Sequence, residues 1–474
     1  MPLSAPARFA AVLTAAAATF GTTFMTANAV GAACVTTTPL TLLNFNDFHG
    51  RLARANPNTV QFVGTVEEQR ALAGEANTLV LSAGDSVGAS LFASFAQNDE
   101  PTLDLLNAMD VAASAVGNHE LDQGFSDLTG RIAPGVEFPY LAANLYLKGT
   151  TTPAVPAYTV VTKNGLRVGI VGAVTSGLSG LVSPAGIATL DVGDPVQAVN
   201  NTIADLKDGN EANGEADVIV VEYHEGAGVG STPTAGIPAS TLAEQLTASP
   251  LFADLVTNTD PRAQVIFNGH THQVYAWDGA VPGGTRPVLQ AGSYASNVGK
   301  VSLVLDSTTG ATCSYTQAVL PMSSTPVADL VSSYPRVAAA KLIVDKAVDD
   351  SAVIGNRVIG TAAAPITRAK TTGNERGLES TLSNMIAQMF KDTLGKTDPN
   401  FIGAQNPGGT RADIAAGPIT YGQAAAILPF ANTLMTTELT GTQLKKVLEQ
   451  QWQTKTDGTP LGGSRPVLML GLSS

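Results

Sequence analysis

Short apolar runs recur along the first two-thirds of the chain, each closed by polar or glycine-containing residues. The runs at 40–45, 78–83, 167–174, 217–223, 264–268 and 300–306 have the length and composition of buried strands. Helical spacing lies between some of them, with Leu103, Leu106 and Met109 on one face. Alternating strands and helices predict an α/β fold. The pattern changes after Pro321. Val327, Leu330, Val331 and Tyr334 recur at helical spacing, and Pro335 is expected to break or kink that helix. A connecting segment over 322–350 is expected, followed by a second domain that begins near the run VIGNRVIGT. Within that domain Leu382, Met385, Ile386, Met389 and Phe390 form an apolar stripe, with Gly395 as a helix stop. A second helix carries Leu444, Val447, Leu448 and Trp452 on one side.

Composition narrows the class. The 474 residues exceed one ordinary core, so two domains are expected, and 44% hydrophobic residues can fill both. A net charge of −13 speaks against a nucleic-acid polymer as partner, because phosphate backbones demand Lys and Arg. Arg8 is the only charge before Asp47, and the Ala/Thr-rich run after it ends in Ala27-Asn28-Ala29. Residues 1–29 therefore read as a cleaved export signal. No later stretch is long and apolar enough to span a bilayer. The expected location is secreted, periplasmic or cell-envelope. The two cysteines, Cys34 and Cys313, invite one disulfide in an exported chain, with two separate thiols as the alternative.

The polar residues that follow the strands sharpen the picture. The first run leads into Asp47 and His49, the second into Asp85, the run at 217–223 into His224, and the run at 264–268 into His270 and His272. The stretch AVGNHELDQG adds Asn118, His119 and Asp122. All five histidines of the chain fall in these clusters. In α/β sheets, functional groups gather beyond the carboxyl ends of strands. Imidazoles and carboxylates without a thiolate suit Zn, Mn, Fe or Co. The set exceeds what one four-coordinate ion needs, and two ions bridged by a carboxylate use it better. Asn118 can ligate through its amide oxygen. His119 with Asp122 has the spacing of an imidazole oriented by a carboxylate, able to stabilise charge or to protonate a leaving oxygen. A helix-capping role for Asp122 is compatible with this. Glu120 reads as a supporting acceptor.

The motifs NFNDFHG, GDS, GNHELDQG, YHEG and GHTH, in this order, resemble those of calcineurin-like metallophosphoesterases, above all the secreted 5′-nucleotidase family with its UDP-sugar hydrolases and 2′,3′-cyclic-nucleotide phosphodiesterases. The resemblance implies that Asp47, His49 and His272 hold one divalent ion, that Asn118, His224 and His270 hold another, and that Asp85 bridges them. His119 and Asp122 become the catalytic dyad. It further implies a four-layer α/β/β/α sandwich over 39–321 and a smaller α/β substrate-binding domain over 351–474. In that domain ESTLSNMIA, QNPGGTR and LPFANTL resemble family segments. Asn406, Gly408, Gly409, Arg411 and Phe430 are then expected to bind substrate, together with Arg376. Family members continue for several tens of residues beyond this point, so the second domain is expected to be incomplete, with one base-stacking aromatic instead of two. The implied activity is release of phosphate from nucleoside 5′-monophosphates by metal-hydroxide attack. UDP-sugar or cyclic-nucleotide hydrolysis is the alternative within the family. A surface protein that binds nucleotide or metal with impaired catalysis is the alternative outside it.

Overall fold

The computed structural model describes residues 28–29, 34, 36–55, 58–233, 238–368, 378–395, 398–429, 434–452 and 468–471. Two sheets face each other. The first has seven strands in the order Asn28–Ala29, Thr312–Pro321, Asn297–Asp306, Thr37–Phe45, Thr78–Ser82, Val111–Ala115, Tyr140–Leu141. The second has six, in the order Val274–Val281, Gly284–Ala291, Ala263–Asn268, Val218–His224, Leu166–Val174, Tyr158–Lys163. Central pairings in both are parallel, while the strands toward the outside include antiparallel ones. Each of the six apolar runs read from the sequence lies on a strand.

The central strands are apolar on both faces because both faces are covered. On Thr37–Phe45, Leu40 and Leu42 enter the core between the sheets, whereas Leu43 and Phe45 turn outward to a helical layer. On Val218–His224, Val220 faces inward, and Ile219, Val221 and Tyr223 face the opposite helical layer. Helices Thr59–Ala73 and Glu100–Ala108 cover the first sheet, and Pro195–Asp205 and Pro250–Thr257 cover the second. The result is the four-layer α/β/β/α sandwich. One buried polar pair spans the sheets: Asn44 Nδ2 donates to Glu222 Oε2 at 2.8 Å. Among the described residues no helix is long and apolar enough to cross a membrane.

Three sequence expectations change. The segment 322–350 is more than a connector. Pro335 starts a helix, Pro335–Gly355, where its missing N–H costs nothing. That helix and the preceding Val327–Ser333 bury Leu330, Val337, Ala340 and Val344 in the outer layer of the first sheet. The stripe on Thr381–Phe390 is narrower than its spacing suggests: Leu382, Ser383, Ile386 and Ala387 are buried, while Met385 and Met389 are exposed. The helix Gly441–Gln450 buries none of its residues, and Val447 and Trp452 are exposed. The second domain's described core is correspondingly small, built on Ala362, Leu382, Ile386, Ile414 and Ile427.

Cys34 and Cys313 are bonded, 279 residues apart in sequence, and fasten the start of the sandwich to the strand Thr312–Pro321. A covalent link across so long a loop removes unfolded-state entropy worth about 2–4 kcal/mol. Cys313→Ser is therefore expected to lower the unfolding temperature by roughly 5 °C. Thiol reductant should shift the parent to the same value and leave the variant unmoved. Equal unfolding temperatures in parent and variant would show that the link does not support the sandwich.

Candidate metal centre

The first candidate ligands follow directly from strand ends. Asp47 and His49 follow Thr37–Phe45, Asp85 follows Thr78–Ser82, Asn118 and His119 follow Val111–Ala115, and His270 and His272 follow Ala263–Asn268. His224 is the last residue of Val218–His224. The loops at these ends are stitched together by backbone bonds. Asp47 N–H donates to Gly84 O at 2.9 Å, and His49 N–H donates to Asp85 O at 3.0 Å. His119 N–H donates to Asp85 Oδ1 at 2.8 Å, and His270 N–H to Asp47 Oδ2 at 3.0 Å.

Donor atoms converge from both sheets. Asp47, His49 and His272 each bring an atom within 4.8 Å of the others, and so do Asp85, His224 and His270; Asp85 also groups with His49 and His119. His272 Nε2 lies 3.3 Å from Asp47 Oδ1 and 3.3 Å from His49 Nε2. His224 Nε2 lies 3.1 Å from Asp85 Oδ2 and 3.2 Å from Asn118 Oδ1. Asp85 stands between the two groups. Asp47, His49, Asp85, Asn118 and His224 are all buried.

Tautomers show what this cluster lacks. His49 Nδ1 faces Gly88 O at 2.9 Å and His224 Nδ1 faces Ala83 O at 2.7 Å. A carbonyl only accepts, so both Nδ1 atoms carry the proton. In the neutral rings each Nε2 then presents a lone pair, toward a second imidazole in one case and toward a carboxylate and an amide oxygen in the other. Lone pairs brought together in a buried site call for positive charge among them. The protonation balance shows the same demand. Burial works against charge on His224, yet the Asp85 carboxylate outweighs it and pushes that imidazole up to about 10. At His49 burial dominates, and the ring is pushed down to about 3. An imidazole and carboxylate set with Nδ1 fixed by backbone carbonyls is the donor chemistry of a transition-type divalent ion, and the residues fit one.

Local conformation is costly here. Five of the seven candidate ligands have left-handed backbone: Asp47 (φ 50), His49 (φ 49), Asp85 (φ 55), His270 (φ 70) and His272 (φ 59). Such conformations cost about 1–3 kcal/mol each for ordinary residues and concentrate at functional sites. Glycines make the close approach possible. A Cβ on Gly117 would sit 2.1 Å from Asp85 Oδ1, and one on Gly84 would sit 2.7 Å from His224 Nδ1. Glu120 does the holding. Its buried carboxylate accepts the N–H of Asp85 at 3.0 Å, Ser86 at 2.8 Å and Gly117 at 2.7 Å. This is the supporting role its position suggested.

His119 and Asp122 lie at the accessible side of the cluster. His119 Nδ1 is 2.8 Å from Asp122 Oδ2. Asp122 follows the short turn His119–Leu121 and caps no helix N-terminus. Burial disfavours charge on His119, but Asp85 and then Asp122 overcome it and push the ring up to about 9.

The second domain contributes one described side chain to this face. Arg411 Nη2 donates to the Tyr294 hydroxyl at 3.0 Å. Asn406 precedes the turn Pro407–Gly409, and Arg411 Nη1 points back to Gly408 O at 3.4 Å. Arg376 and Phe430 lie outside the described residues. Sequence reasoning missed Tyr294 and Arg51. The Arg51 guanidinium lies 3.8 Å from the centre of the Tyr294 ring, and that ring is 5.5 Å from His49 and 5.1 Å from His272. The available signal was the run PVLQA before Gly292, a further strand end of the same kind.

Comparison with known proteins places this geometry. A model described as calcineurin-like phosphoesterase matches residues 40–274, and one described as 5′-nucleotidase, C-terminal domain, matches 358–468. The chain is 29% identical to Endonuclease YhcR of Bacillus subtilis over 436 residues, covering 87% of this chain and 33% of that protein. It is 28% identical to Cell wall protein Lmo0130 of Listeria monocytogenes, covering 93% of this chain and 59% of that one. The chain thus spans only a third to three-fifths of these relatives. A solved 5′-nucleotidase precursor from Thermus thermophilus shares the fold with a TM-score of 0.65 at 23% identity, covering 91% of this chain and 81% of that one. With both family models matched in order on a shared fold, the chain belongs to the 5′-nucleotidase family of calcineurin-like phosphoesterases.

Proposed function

We propose that this chain is an exported, dinuclear-metal phosphohydrolase that releases phosphate from nucleoside 5′-monophosphates. The observation that carries the reading is the convergence of two donor groups, Asp47–His49–His272 and Asp85–His224–His270, with Asp85 also grouping with His49 and with the His119–Asp122 pair beside them. Asp47, His49 and His272 would hold one ion and Asn118, His224 and His270 the other, with Asp85 common to both. Divalent ions held there would polarise a phosphoryl oxygen and lower the pKa of water. The side chains supply the rest. Asp122 fixes the His119 ring and favours its charged form, so that Nε2–H can stabilise charge or protonate the leaving oxygen. Arg411 can fork onto phosphate oxygens, and Asn406 with Gly408 and Gly409 shapes the turn beside it. Arg376 and Phe430 are proposed to complete the nucleotide site, Phe430 by stacking on the base.

Export is supported by the Cys34–Cys313 bond, which suits an oxidising compartment, and by the signal-like residues 1–29. The proposed division is a catalytic domain at 39–321, the helical segment 322–350, and a substrate-binding domain at 351–474. A second reading, phosphodiester cleavage, draws on the relative whose name is an endonuclease, since the same metal core serves both reactions.

Phosphate release from AMP is expected with added Mn²⁺ and is expected to stop with a chelator; metal-independent release would refute the mechanism. His119→Asn should cut kcat by about 10²–10⁴-fold while Mn²⁺ affinity stays within a few-fold. In the parent, kcat should fall as pH rises through the pKa of the His119 ring, whose charged form the Asp122 carboxylate 2.8 Å away favours. That alkaline limb should be missing from the variant. Calorimetry should count two Mn²⁺ per chain, and Asp85→Ala should disturb both. Because His224 is protonated up to about 10 in the ion-free site, binding must expel that proton. Affinity should therefore rise with pH, with about one or more protons released. One ion per chain at saturation would refute the dinuclear reading.

A further inference from the structure

We infer that Gln290 is a positioning residue whose buried amide holds His270 and His272 as one unit, and that it thereby couples the two ion sites. The inference rests on the dinuclear reading above. It goes beyond that reading by assigning the coupling to a residue that is not itself a candidate ligand.

The loop that carries the two histidines is short and strained. Thr271 N–H donates back to Gly269 O at 2.8 Å, which closes a three-residue turn with His270 at its centre. His270 has φ 70 and His272 has φ 59. Three-residue turns with a positive central φ are rare and strained, and they persist only where surrounding contacts enforce them. The imidazoles so presented serve different donor groups. His272 stands with Asp47 and His49, and His270 stands with Asp85 and His224. Relaxation of this one turn would therefore misplace a ligand in each group.

Gln290, on the strand Gly284–Ala291, supplies the enforcement, and its side chain is buried. Its Oε1 accepts from Thr271 Oγ1 at 3.0 Å and from Gln273 N–H, and its Nε2 donates to Gly269 O. One amide thus grips the chain before His270, between the two histidines and after His272. The chemistry demands an amide. Gly269 O only accepts and Gln273 N–H only donates, so a carboxylate would lack the donor and an apolar side chain would lack both partners. Buried polar groups left without partners are costly.

Neighbouring loops are built around the same amide. A Cβ on Gly226, two residues after His224, would collide with Gln290 Nε2 and Thr271 Oγ1. Glycine there lets the loop after His224 pack on the amide. The next residues of the strand reach the first sheet. Ala291 N–H donates to Asn46 Oδ1 at 2.9 Å, and Asn46 Nδ2 donates to Gly292 O at 2.6 Å and to Asp47 Oδ2 at 2.5 Å. The stretch from Gln290 to Gly292 therefore ties together loops that carry Asp47, His224, His270 and His272.

The test uses the full chain and two variants. Gln290→Met keeps the length of the side chain and removes its amide, and Thr271→Val removes one bond to that amide. Circular dichroism of the ion-free chains checks that each variant is folded. The first readout is calorimetry with Mn²⁺, and the second is the visible spectrum of bound Co²⁺, which reports ligand geometry. Both Mn²⁺ affinities should fall together, about tenfold in Gln290→Met and severalfold in Thr271→Val. The Co²⁺ bands should shift in Gln290→Met. A merely structural role would lower the unfolding temperature and leave affinities and Co²⁺ bands as in the parent, and that result would overturn the inference. A fall at one ion alone would overturn the coupling. If Gln290→Met does not fold, Thr271→Val decides by the same criteria. One Mn²⁺ per chain in the parent would refute the dinuclear reading, and the coupling with it, before any variant is compared.

Discussion

Two buried carboxylates facing imidazole lone pairs set the terms for the rest of this molecule. Asp47 and Asp85 lie among His49, His224 and His272, and the carbonyls of Gly88 and Ala83 fix two of those rings with Nε2 inward. Such an arrangement is unfavourable unless positive charge enters it. The fold therefore has to supply rigidity without supplying neutralisation from its own lysines or arginines. It does so with strained loops. Five candidate ligands sit in left-handed conformations, held by neighbouring backbone bonds and by a Glu120 carboxylate that collects four N–H groups. The strain is tolerable because each loop departs from a strand buried on both faces, where the chain has little freedom to relax.

The same constraint explains why two sheets are needed. Asp47, Asp85 and Asn118 come from the first sheet, and His224, His270 and His272 from the second. The groups Asp47–His49–His272 and Asp85–His224–His270 each draw on both sheets. The apolar layer between them, with Leu40, Leu42, Val220 and Phe267, fixes the separation on which the donor distances depend. Polar matter in that layer is rare. The Asn44–Glu222 bond lies just behind the site, on strands that also lead to Asp47 and His224.

Much of this was legible in the sequence, for physical reasons that differ by element. Doubly buried strands must be apolar throughout, so the six runs identified themselves. Residues just past them must be polar to serve a site, so Asp47, Asp85, His224 and His270 stood out. The helix Pro335–Gly355 was harder, because a proline at its start reads as a break until its position at the first turn is known. The stripe on Gly441–Gln450 shows the converse: amphipathic spacing establishes which face is apolar but says nothing about what covers it. Tyr294 escaped because its strand, Gly284–Ala291, begins with Gly-Thr-Arg-Pro and hides a short apolar stretch. Arg51 escaped because a lone arginine after a motif resembles a surface residue. Only its place over the Tyr294 ring, with a buried Nε, sets it apart.

Charge at two length scales then decides how such a site can meet its substrate. The chain as a whole carries −13, which at long range repels a phosphate dianion. At physiological salt that repulsion fades beyond about 8 Å, so attraction near the site has to be local. The cluster itself brings acids, imidazoles and the Asn118 amide, and cations held there would be partly spent on Asp47 and Asp85. Additional positive charge must come from side chains at its rim. Arg51 is supplied by the loop after Thr37–Phe45 and Arg411 by the second domain, and Tyr294 touches both guanidiniums and two of the histidines. A contact between domains is thereby also a contact with the site, so whatever displaces Arg411 from Tyr294 removes rim charge as well as a hydrogen bond.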